Sequence, residues 1–320
     1  MKRFLPDTFT LLLICTVILA SALPIHGAAA DYFALATKFA IAALFFLHGA
    51  RLSRDVVIAG LLHWKLHLVV VAVSFVVFPV LGLGFGLVFS HVLPPALALG
   101  ILYICVLPST VQSSIAFTSI AGGNVPAAIC AASASNVFGM ILTPLLCGLL
   151  LSAGGHGGVS LDAISQIFVQ LLLPFILGQV LQPWVGDWVR ARKRLLMPID
   201  RGSILMVVYG AFSEAVIEGI WRSYSIEDIL IVVLADIVLL ALVLAFTMFG
   251  SRALGFAKAD EITITFCGSK KSLASGVPMA SAIFAGQSIG AIVMPLMLFH
   301  QIQLMACAVI AQRYASKNKT

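Results

Sequence analysis

Apolar residues dominate the chain in runs of about 20 residues, and short segments rich in Pro, Gly and charge separate these runs. A helix of that length crosses a hydrocarbon core of about 30 Å. Taken between their polar boundaries, the runs predict ten membrane-spanning helices. Their approximate limits are 8–24, 31–50, 64–90, 95–120, 124–152, 161–182, 200–221, 226–249, 258–284 and 287–312. The pattern therefore predicts an all-α, multi-pass membrane protein.

Basic residues fall on one side of this predicted topology. Arg222 is the one basic residue on the opposite side, and Lys38, Lys270 and Lys271 fall inside spans. Because cytoplasmic loops carry the excess of Lys and Arg, we expect both termini in the cytoplasm and the chain in the inner or plasma membrane. The remaining fifteen of the 19 basic residues are Lys2, Arg3, Arg51, Arg54, Lys65, Arg190, Arg192, Lys193, Arg194, Arg201, Arg252, Lys258, Arg313, Lys317 and Lys319.

Composition agrees with this class of protein. Hydrophobic residues make up 61% of the chain and charged residues 10%, against about 25% charged in a typical soluble domain. The net charge of +6 follows from the positive loops and needs no nucleic-acid partner. Six cysteines are scattered singly through apolar runs, which favours packing over disulfides or metal ligation.

The first span has a second interpretation. Lys2 and Arg3, the apolar run FTLLLICTVILA and small residues near 28–30 together resemble a cleavable signal peptide. An internal repeat opposes it. FLHGA (46–50) resembles VYGAF (208–212), and YICVLPSTVQSSIA (103–116) resembles ITFCGSKKSLASGV (264–277), at offsets near 161 and 162 residues. Removing the first span would break this repeat.

The repeat predicts two halves, residues 1–156 and 157–320. Each half holds five spans, and because five is odd the second half must lie inverted in the membrane. Inverted repeats of this kind build transporters whose binding site lies near mid-membrane, at interrupted helices.

Two spans carry such interruptions at corresponding positions. LPSTVQSS (107–114) places a proline, hydroxyls and an amide in span four, and CGSKKSLASG (267–276) places two lysines among Gly and Ser in span nine. Backbone groups freed at this depth must be buried in protein or line a cavity. We therefore predict that helices four and nine are discontinuous. A re-entrant hairpin is the alternative for span nine.

The adjacent Lys270 and Lys271 are the most unfavourable residues to bury in the membrane, since a lysine at the centre of a membrane helix costs about 2.5 to 3.5 kcal/mol. Glu214 and Asp236 are the candidate counter-charges, and each also has a simpler interpretation as a group facing an aqueous vestibule. Lys38 is expected to snorkel outward.

Further polar residues within apolar spans complete the candidate site. For Ser133 and Ser135, close helix packing is an equally good explanation, and His300 is expected to play a supporting role. The candidate binding residues are Gln112, Ser113, Ser114, Ser133, Ser135, Asn136, Ser269, Lys270, Lys271 and Ser272. The candidate supporting or counter-charge residues are Ser74, Thr110, Glu214, Asp236, His300 and Gln301.

Several motifs resemble the bile acid:sodium symporter family. LPPALALGILYICVLPSTVQSS (93–114) followed by GNV (123–125) is similar to that family's fourth-span signature. HGARLSRD (48–55) resembles its second-to-third span loop, and ADEITITFCGSKKSLASG (259–276) its ninth-span crossover. Within the family, the likeness is to the branch of solute carrier family 10 member 7 and its bacterial relatives.

This resemblance implies a core of spans three to five and eight to ten beside a panel of spans one, two, six and seven. It also implies alternating access around helices four and nine, with two sodium sites behind their crossing. Sodium near Ser113 and Ser114 is the expectation that follows. The third-span Gln of the family falls on Ser74, and its fifth-span hydroxyls fall on Ala128 and Ala132.

The ninth span departs from the family in charge. The glutamate of the sodium-coupled members falls near Phe266, and the following Gln-Asn pair falls on Lys270 and Lys271. One ammonium would occupy the volume of a sodium ion and donate to the same carbonyls. We therefore hypothesise sodium-independent or proton-coupled transport, with lysines that only neutralise internal acids as the alternative.

A secondary transporter of a small, anionic organic solute is the predicted function. The solute itself and the oligomeric state are not encoded in these patterns. A regulator of cellular calcium or pH on the same fold is the alternative, and it would show an ion effect with no transported solute. No enzyme motif is present, although Ser113 or Ser272 with Lys270 has the composition of a Ser-Lys dyad. No cofactor is expected beyond Na⁺ or H⁺ as coupling ion.

Overall fold

The computed structural model describes residues 8–51, 63–89, 91–153, 168–217, 219, 224–284 and 287–317. Helices account for nearly all of this part of the chain, and no strand occurs in it. The basic residues Lys2, Arg3, Arg54, Arg222 and Lys319 of the predicted topology lie outside the described residues. The helices are α1 (Thr8–Ala22), α2 (Ala28–Arg51), α3 (Trp64–Phe89), α4 (Pro95–Val106), α5 (Gln112–Ala121), α6 (Val125–Ala153), α7 (Leu173–Ala191), α8 (Lys193–Ile217), α9 (Ile226–Ala253), α10 (Lys258–Gly268), α11 (Leu273–Ile283) and α12 (Ile289–Lys317).

Seven of the described helices are long and apolar enough to cross a membrane. They are α2, α3, α6, α7, α8, α9 and α12. The pieces on either side of the two predicted interruptions are shorter, at 10 to 12 residues. The all-α, multi-pass class is therefore confirmed, while the inverted ten-helix arrangement stays a prediction.

Span six differs from its predicted limits. The described helical structure begins with a π-helical turn at Phe168–Leu172 and runs to Ala191, past the predicted end at residue 182. Pro183 lies inside α7 without ending it, because the segment beyond it still packs, with Val189 buried against Leu47 and Ala50 of α2. Span seven likewise begins earlier than predicted, at Lys193.

The chain divides into two compact units. The first contains α1, α2, α7 and α8 with the segment from Val277 to Val293. Its α2 and α7 approach closely at Gly49 and Gly178, where a methyl group on either glycine would overlap a backbone carbonyl of the other helix. An ion pair between Arg51 and Asp200, 2.6 Å long, joins α2 to α8.

The second unit contains α3 to α6, α9, α10, the start of α11 and most of α12. A π-helical turn at Val73–Val77 interrupts α3, and such a turn displaces carbonyls from the regular helical ladder. The start of α10 is tied to the turn between α5 and α6, because Asn124 Nδ2 donates to Asp260 Oδ1 over 2.9 Å. Both predicted interruptions lie in this unit.

Both interruptions are present in the structure. Helix α4 ends at Val106 because Leu107 is extended (φ −77°, ψ 154°), as the residue before a proline prefers. The chain resumes helical structure at Gln112. The second interruption covers the four residues between Gly268 and Leu273. We call these segments the first break (107–111) and the second break (269–272); the chain leaves the helical conformation at both predicted interruptions, while the crossing of spans four and nine stays a prediction.

Candidate functional site

The two breaks are bonded directly to each other. Ser272 N donates to the carbonyl of Pro108 over 2.9 Å. Ser114 Oγ donates to the carbonyl of Phe266 over 3.0 Å, and Ser109 Oγ donates to that of Cys267. Backbone groups released by one interruption thus find partners at the other, as burial in an apolar interior requires.

Helix α6 supports this junction with an amide and a hydroxyl. Asn136 Nδ2 donates to the carbonyl of Ser109 over 2.8 Å, and its Oδ1 accepts from Ser275 Oγ at 2.8 Å. Ser135 Oγ accepts from the backbone N–H of Ser109 at 3.0 Å. Asn136 therefore bonds to both interrupted helices, while the nearby Ser133 is half-buried and forms none of these bonds.

The ammonium of Lys271 lies in a cage of backbone carbonyls. Its Nζ donates to Leu107 at 2.7 Å, to Ser74 at 2.9 Å and to Cys105 at 3.3 Å. The ring of Phe78 covers it, with 3.8 Å between Nζ and the ring centroid. Lys271 is 0% exposed. All three of its donors are used, so the cage satisfies the buried cation.

The cage follows from local sequence. Ser74 belongs to the π-helical turn of α3, and Cys105 and Leu107 stand at the end of α4, where carbonyls lack an intrahelical partner. These positions supply backbone oxygens without any acidic side chain.

The backbone of Lys271 is held by a side chain of α12. Gln303 Oε1 accepts from the N–H of Lys271 at 2.9 Å, and Gln303 Nε2 donates to its carbonyl at 2.9 Å. His300 Nδ1 lies 2.9 Å from the same Nε2. His300 therefore reaches the break through Gln303. Gln303 is the residue of α12 that binds the backbone of Lys271 directly.

The ammonium of Lys270 has fewer hydrogen-bond partners among the described residues than that of Lys271. Its Nζ lies 3.4 Å from Ser113 Oγ, which is a long hydrogen bond. The rings of Phe117 and Phe266 lie 4.4 and 5.7 Å away, measured to their centroids. Lys270 is 0% exposed. The buried ammonium therefore keeps donor capacity that the described residues do not fill.

The hydroxyl groups of the first break form a small cluster. Thr110 Oγ1 lies 2.8 Å from Ser113 Oγ and 3.0 Å from Ser114 Oγ. Gln112 begins α5 and is exposed. Of the three predicted binding residues here, Ser113 and Ser114 belong to the cluster and Gln112 does not.

In the second break, Ser269 Oγ turns back to the carbonyl of Thr265 at 2.6 Å. Ser272 caps α11, since its Oγ accepts from the N–H of Ser275 at 3.1 Å. Both serines therefore shape the break locally. The predicted Ser-Lys dyad is represented by the 3.4 Å contact between Ser113 and Lys270.

Of the two candidate counter-charges, Asp236 lies in the same unit as the lysines and Glu214 lies in the other unit. Neither lysine forms an ion pair with an acidic residue of the part of the chain that the structure describes. Asp236 is 0% exposed, and neither of its oxygens has a hydrogen-bond partner in the part of the chain that the structure describes. Glu214 is exposed on α8 of the first unit, where it lines a cavity of about 1200 Å³ together with Lys38.

Sequence reasoning missed several contributors. Ser109, Ser275, Phe78 and Phe117 all contact the breaks or their lysines. The two serines stand inside the quoted break motifs and carried a weak signal. The phenylalanines carried none, because aromatic residues are common throughout apolar helices. Gln301, which was predicted to support the site, is half-buried on α12 two residues before Gln303.

Comparisons with known proteins relate this chain to a family of membrane transporters. The model of the SBF-like CPA transporter family matches residues 7–316. The chain is 58% identical to "Uncharacterized protein PA2026" of Pseudomonas aeruginosa and 54% identical to "Putative symporter YfeH" of Escherichia coli K12, each over 98% of this chain and 95% of the relative. It is 32% identical to "Sodium/bile acid cotransporter 7" of Xenopus tropicalis, over 86% of this chain and 80% of that protein.

The resemblance inferred from the break motifs is confirmed by these matches. The relatives with functional names are described as symporters and cotransporters, not as enzymes. A family match over nearly the whole chain, together with seven apolar helices of spanning length, identifies a multi-pass membrane transporter. The chain belongs to the SBF-like CPA transporter family, a group of the bile acid:sodium symporter type.

Proposed function

We propose that this transporter moves a small organic anion by alternating access around the two breaks, and that Lys271 takes the place of a coupling sodium ion. The observation that carries the proposal is the carbonyl cage of Lys271. A cation inside the membrane is held there by Ser74, Cys105 and Leu107 at 2.7 to 3.3 Å.

A sodium ion does not fit this cage while Lys271 is in it. Hard cations of this type take oxygen ligands, and carbonyl oxygens are among the preferred ones. The three oxygens already accept from the ammonium, and a second positive charge beside it would be repelled. Ser113 and Ser114, where the family resemblance implies sodium, stand next to Lys270, and Ser114 donates to Phe266.

The surroundings of Lys270 are the reason for proposing that the solute is an anion. Its ammonium is buried beside Phe117 and has one long hydrogen bond. A carboxylate or similar group that accepted from it would gain a charge-assisted hydrogen bond. Because Lys270 is fully buried in this structure, the solute would reach it in another conformation of the transport cycle.

The membrane arrangement in this proposal has ten passages. Helices α4 with α5, and α10 with α11, each make one passage, and α1 makes the first. The first break begins at residue 107 and the second at residue 269, an offset of 162 that supports the predicted repeat. The one-sided distribution of Lys and Arg supports cytoplasmic termini in the cell membrane.

Sodium dependence of stability tests the cage directly. Purified protein is heated in NaCl or in choline chloride of equal ionic strength, and the unfolding midpoint is compared among wild type, Lys271→Ala and Lys271→Met. We expect no sodium effect in wild type. Lys271→Ala vacates three oxygens, so bound sodium should raise its midpoint, with a gain of about 2.7 kcal/mol in the free energy of unfolding at a hundred times the dissociation constant. Lys271→Met fills the volume and is the matched control.

The outcome that contradicts the proposal is a sodium-induced rise in wild type as large as that in Lys271→Ala. Transport itself is tested by comparing the metabolites accumulated by cells that carry wild type, Lys270→Met or no copy of the protein, with and without sodium. We expect an anionic metabolite that depends on the protein and on Lys270 and accumulates equally without sodium. If no metabolite differs between wild type and cells without the protein, the transporter function is contradicted.

A further inference from the structure

Asp236 is a buried acid within a membrane helix, and no described residue forms a hydrogen bond or an ion pair with its carboxyl group. It is the eleventh residue of α9, which runs from Ile226 to Ala253. It is 0% exposed, and neither carboxylate oxygen has a hydrogen-bond partner. At 1.5 Å per residue, it lies about 15 Å along the helix axis from the first residue of α9.

An ionised carboxylate in that position is strongly disfavoured. Burying an unpaired charge costs far more free energy than burying a neutral polar group, and such groups neutralise where they can. The buried Glu261 provides the contrast, because it is paired with Arg252 at 2.9 Å and with Lys258 at 2.7 Å. Asp236 has neither type of compensation, so the neutral acid is the form that its surroundings accept.

The groups around Asp236 leave few partners for its charge. Helix α9 packs against α3, α4 and α10. From α4, Cys105 lies within electrostatic range of both Asp236 and Lys271. On α3, Lys65 and His67 stand in the first turn. Glu261 of α10 already forms its own ion pairs, and Lys271 of the second break already donates to the carbonyl cage.

The remaining charged groups lie at the ends of the helices concerned. Lys258 and Asp260 begin α10, and on α9 itself Glu227 and Asp228 stand in the first turn and Arg252 in the last. Lys270 lies against Phe117 and Ser113. None of these groups forms an ion pair with Asp236 among the described residues.

We propose that Asp236 is a proton-binding site, whose carboxyl group carries a proton in the conformation seen here. Binding is the simple addition of H⁺ to the carboxylate, and release returns it to water. In a transporter whose cation cage is filled by its own lysine, this acid supplies an exchangeable charge for coupling. That coupling role rests on the function proposed above, whereas the presence of the proton does not.

Infrared spectroscopy of the purified protein in lipid at neutral pH tests the site. A protonated carboxyl group gives a C=O stretching band that is separate from those of carboxylates and amides. We expect the band in wild type, its loss in Asp236→Asn, and its retention in Asp228→Asn, a control on the same helix. A wild-type sample with aspartate labelled by ¹³C at the side-chain carboxyl carbon should show the band shifted to lower frequency.

The labelled wild-type sample needs no substitution, so it shows whether an aspartate is protonated even if Asp236→Asn fails to fold, and the absence of a shifted band there would still overturn the proposal. The proposal is overturned if wild type lacks the band, if the band stays in Asp236→Asn, or if it does not shift on labelling. None of these results depends on a transported solute. A wild-type band without any protein-dependent solute uptake would therefore support the proton site and remove only its coupling role.

Discussion

Lys270 and Lys271 are neighbours in the chain and are both fully buried, yet their surroundings differ sharply. Lys271 donates three hydrogen bonds to backbone carbonyls and lies 3.8 Å from the centroid of the Phe78 ring. Lys270 has one hydrogen bond of 3.4 Å, to Ser113, and lies 4.4 Å from the centroid of Phe117. Adjacent side chains at an interrupted helix thus enter two different environments.

This difference separates a structural cation from an available one. The oxygens around Lys271 exist because the π-helical turn of α3 and the end of α4 leave carbonyls without helical partners. The ammonium and the carbonyls satisfy each other, and removing either leaves buried polar groups unpaired. Lys270 satisfies no comparable set among the described residues, so under the proposed function its charge is the one that binds the anionic solute.

Replacing each lysine by methionine is the strongest test of the comparison. Lys271→Met leaves three buried carbonyls without a donor, and we expect a loss of about 3 kcal/mol or more in the free energy of unfolding. Lys270→Met should lie within about 1 kcal/mol of wild type or be more stable, because an apolar side chain replaces a poorly paired charge. Reversible unfolding of the purified protein measures both values. Equal losses would show that the two environments are energetically alike.

The anchor of the Lys271 backbone gives the next largest effect. Gln303→Leu leaves the N–H and C=O of Lys271 unpaired in a buried position, and we expect a loss of about 2 kcal/mol. Gln301→Leu, two residues away and half-buried, is the matched control, with an expected loss under about 1 kcal/mol. The same unfolding measurement applies. If both substitutions cost the same, the paired hydrogen bonds of Gln303 do not position Lys271.

The aromatic contacts offer the smallest and most specific test. Double-mutant cycles combine Phe78→Leu with Lys271→Met, and Phe117→Leu with Lys270→Met, and so isolate each pairwise energy. We expect about 1 to 2 kcal/mol for the first pair and about 0.5 to 1 kcal/mol for the second, since the first is closer and its lysine is more rigidly held. A larger coupling for the Lys270 pair would reverse the proposed order.

Much of the fold was predictable because a helix that spans a membrane needs about 20 consecutive, mostly apolar residues, and such runs are visible in the sequence. Length, hydropathy and the positions of Pro and Gly located the apolar helices to within a few residues, except at α7 and α8. The predicted end of span six at residue 182 comes directly before Pro183, whereas tertiary packing keeps α7 helical beyond that proline. The breaks were predictable for a local reason, since Pro108 and the Gly and Ser residues around Lys270 weaken the helical ladder.

The site was predictable in part. Ser113, Ser114, Ser135, Asn136 and both lysines were expected at the breaks, and the structure places them there. The partners of the lysines were not predictable, because five of the closest contacts are backbone carbonyls or phenylalanine rings, which have no distinctive sequence signal. Asp236, a candidate counter-charge in the alternative hypothesis, has no hydrogen-bond partner among the described residues.

The sequence by itself determined that this is a helical membrane protein with two interrupted helices and a pair of lysines at one interruption. Those features depend on local composition and on the energetic demands of the bilayer. Only the tertiary structure decided which lysine is bound in a carbonyl cage and which keeps free donors, and that Asp236 is unpaired. Such assignments depend on which distant segments pack together, because a buried charge is stabilised by atoms in space and not by its neighbours in the chain.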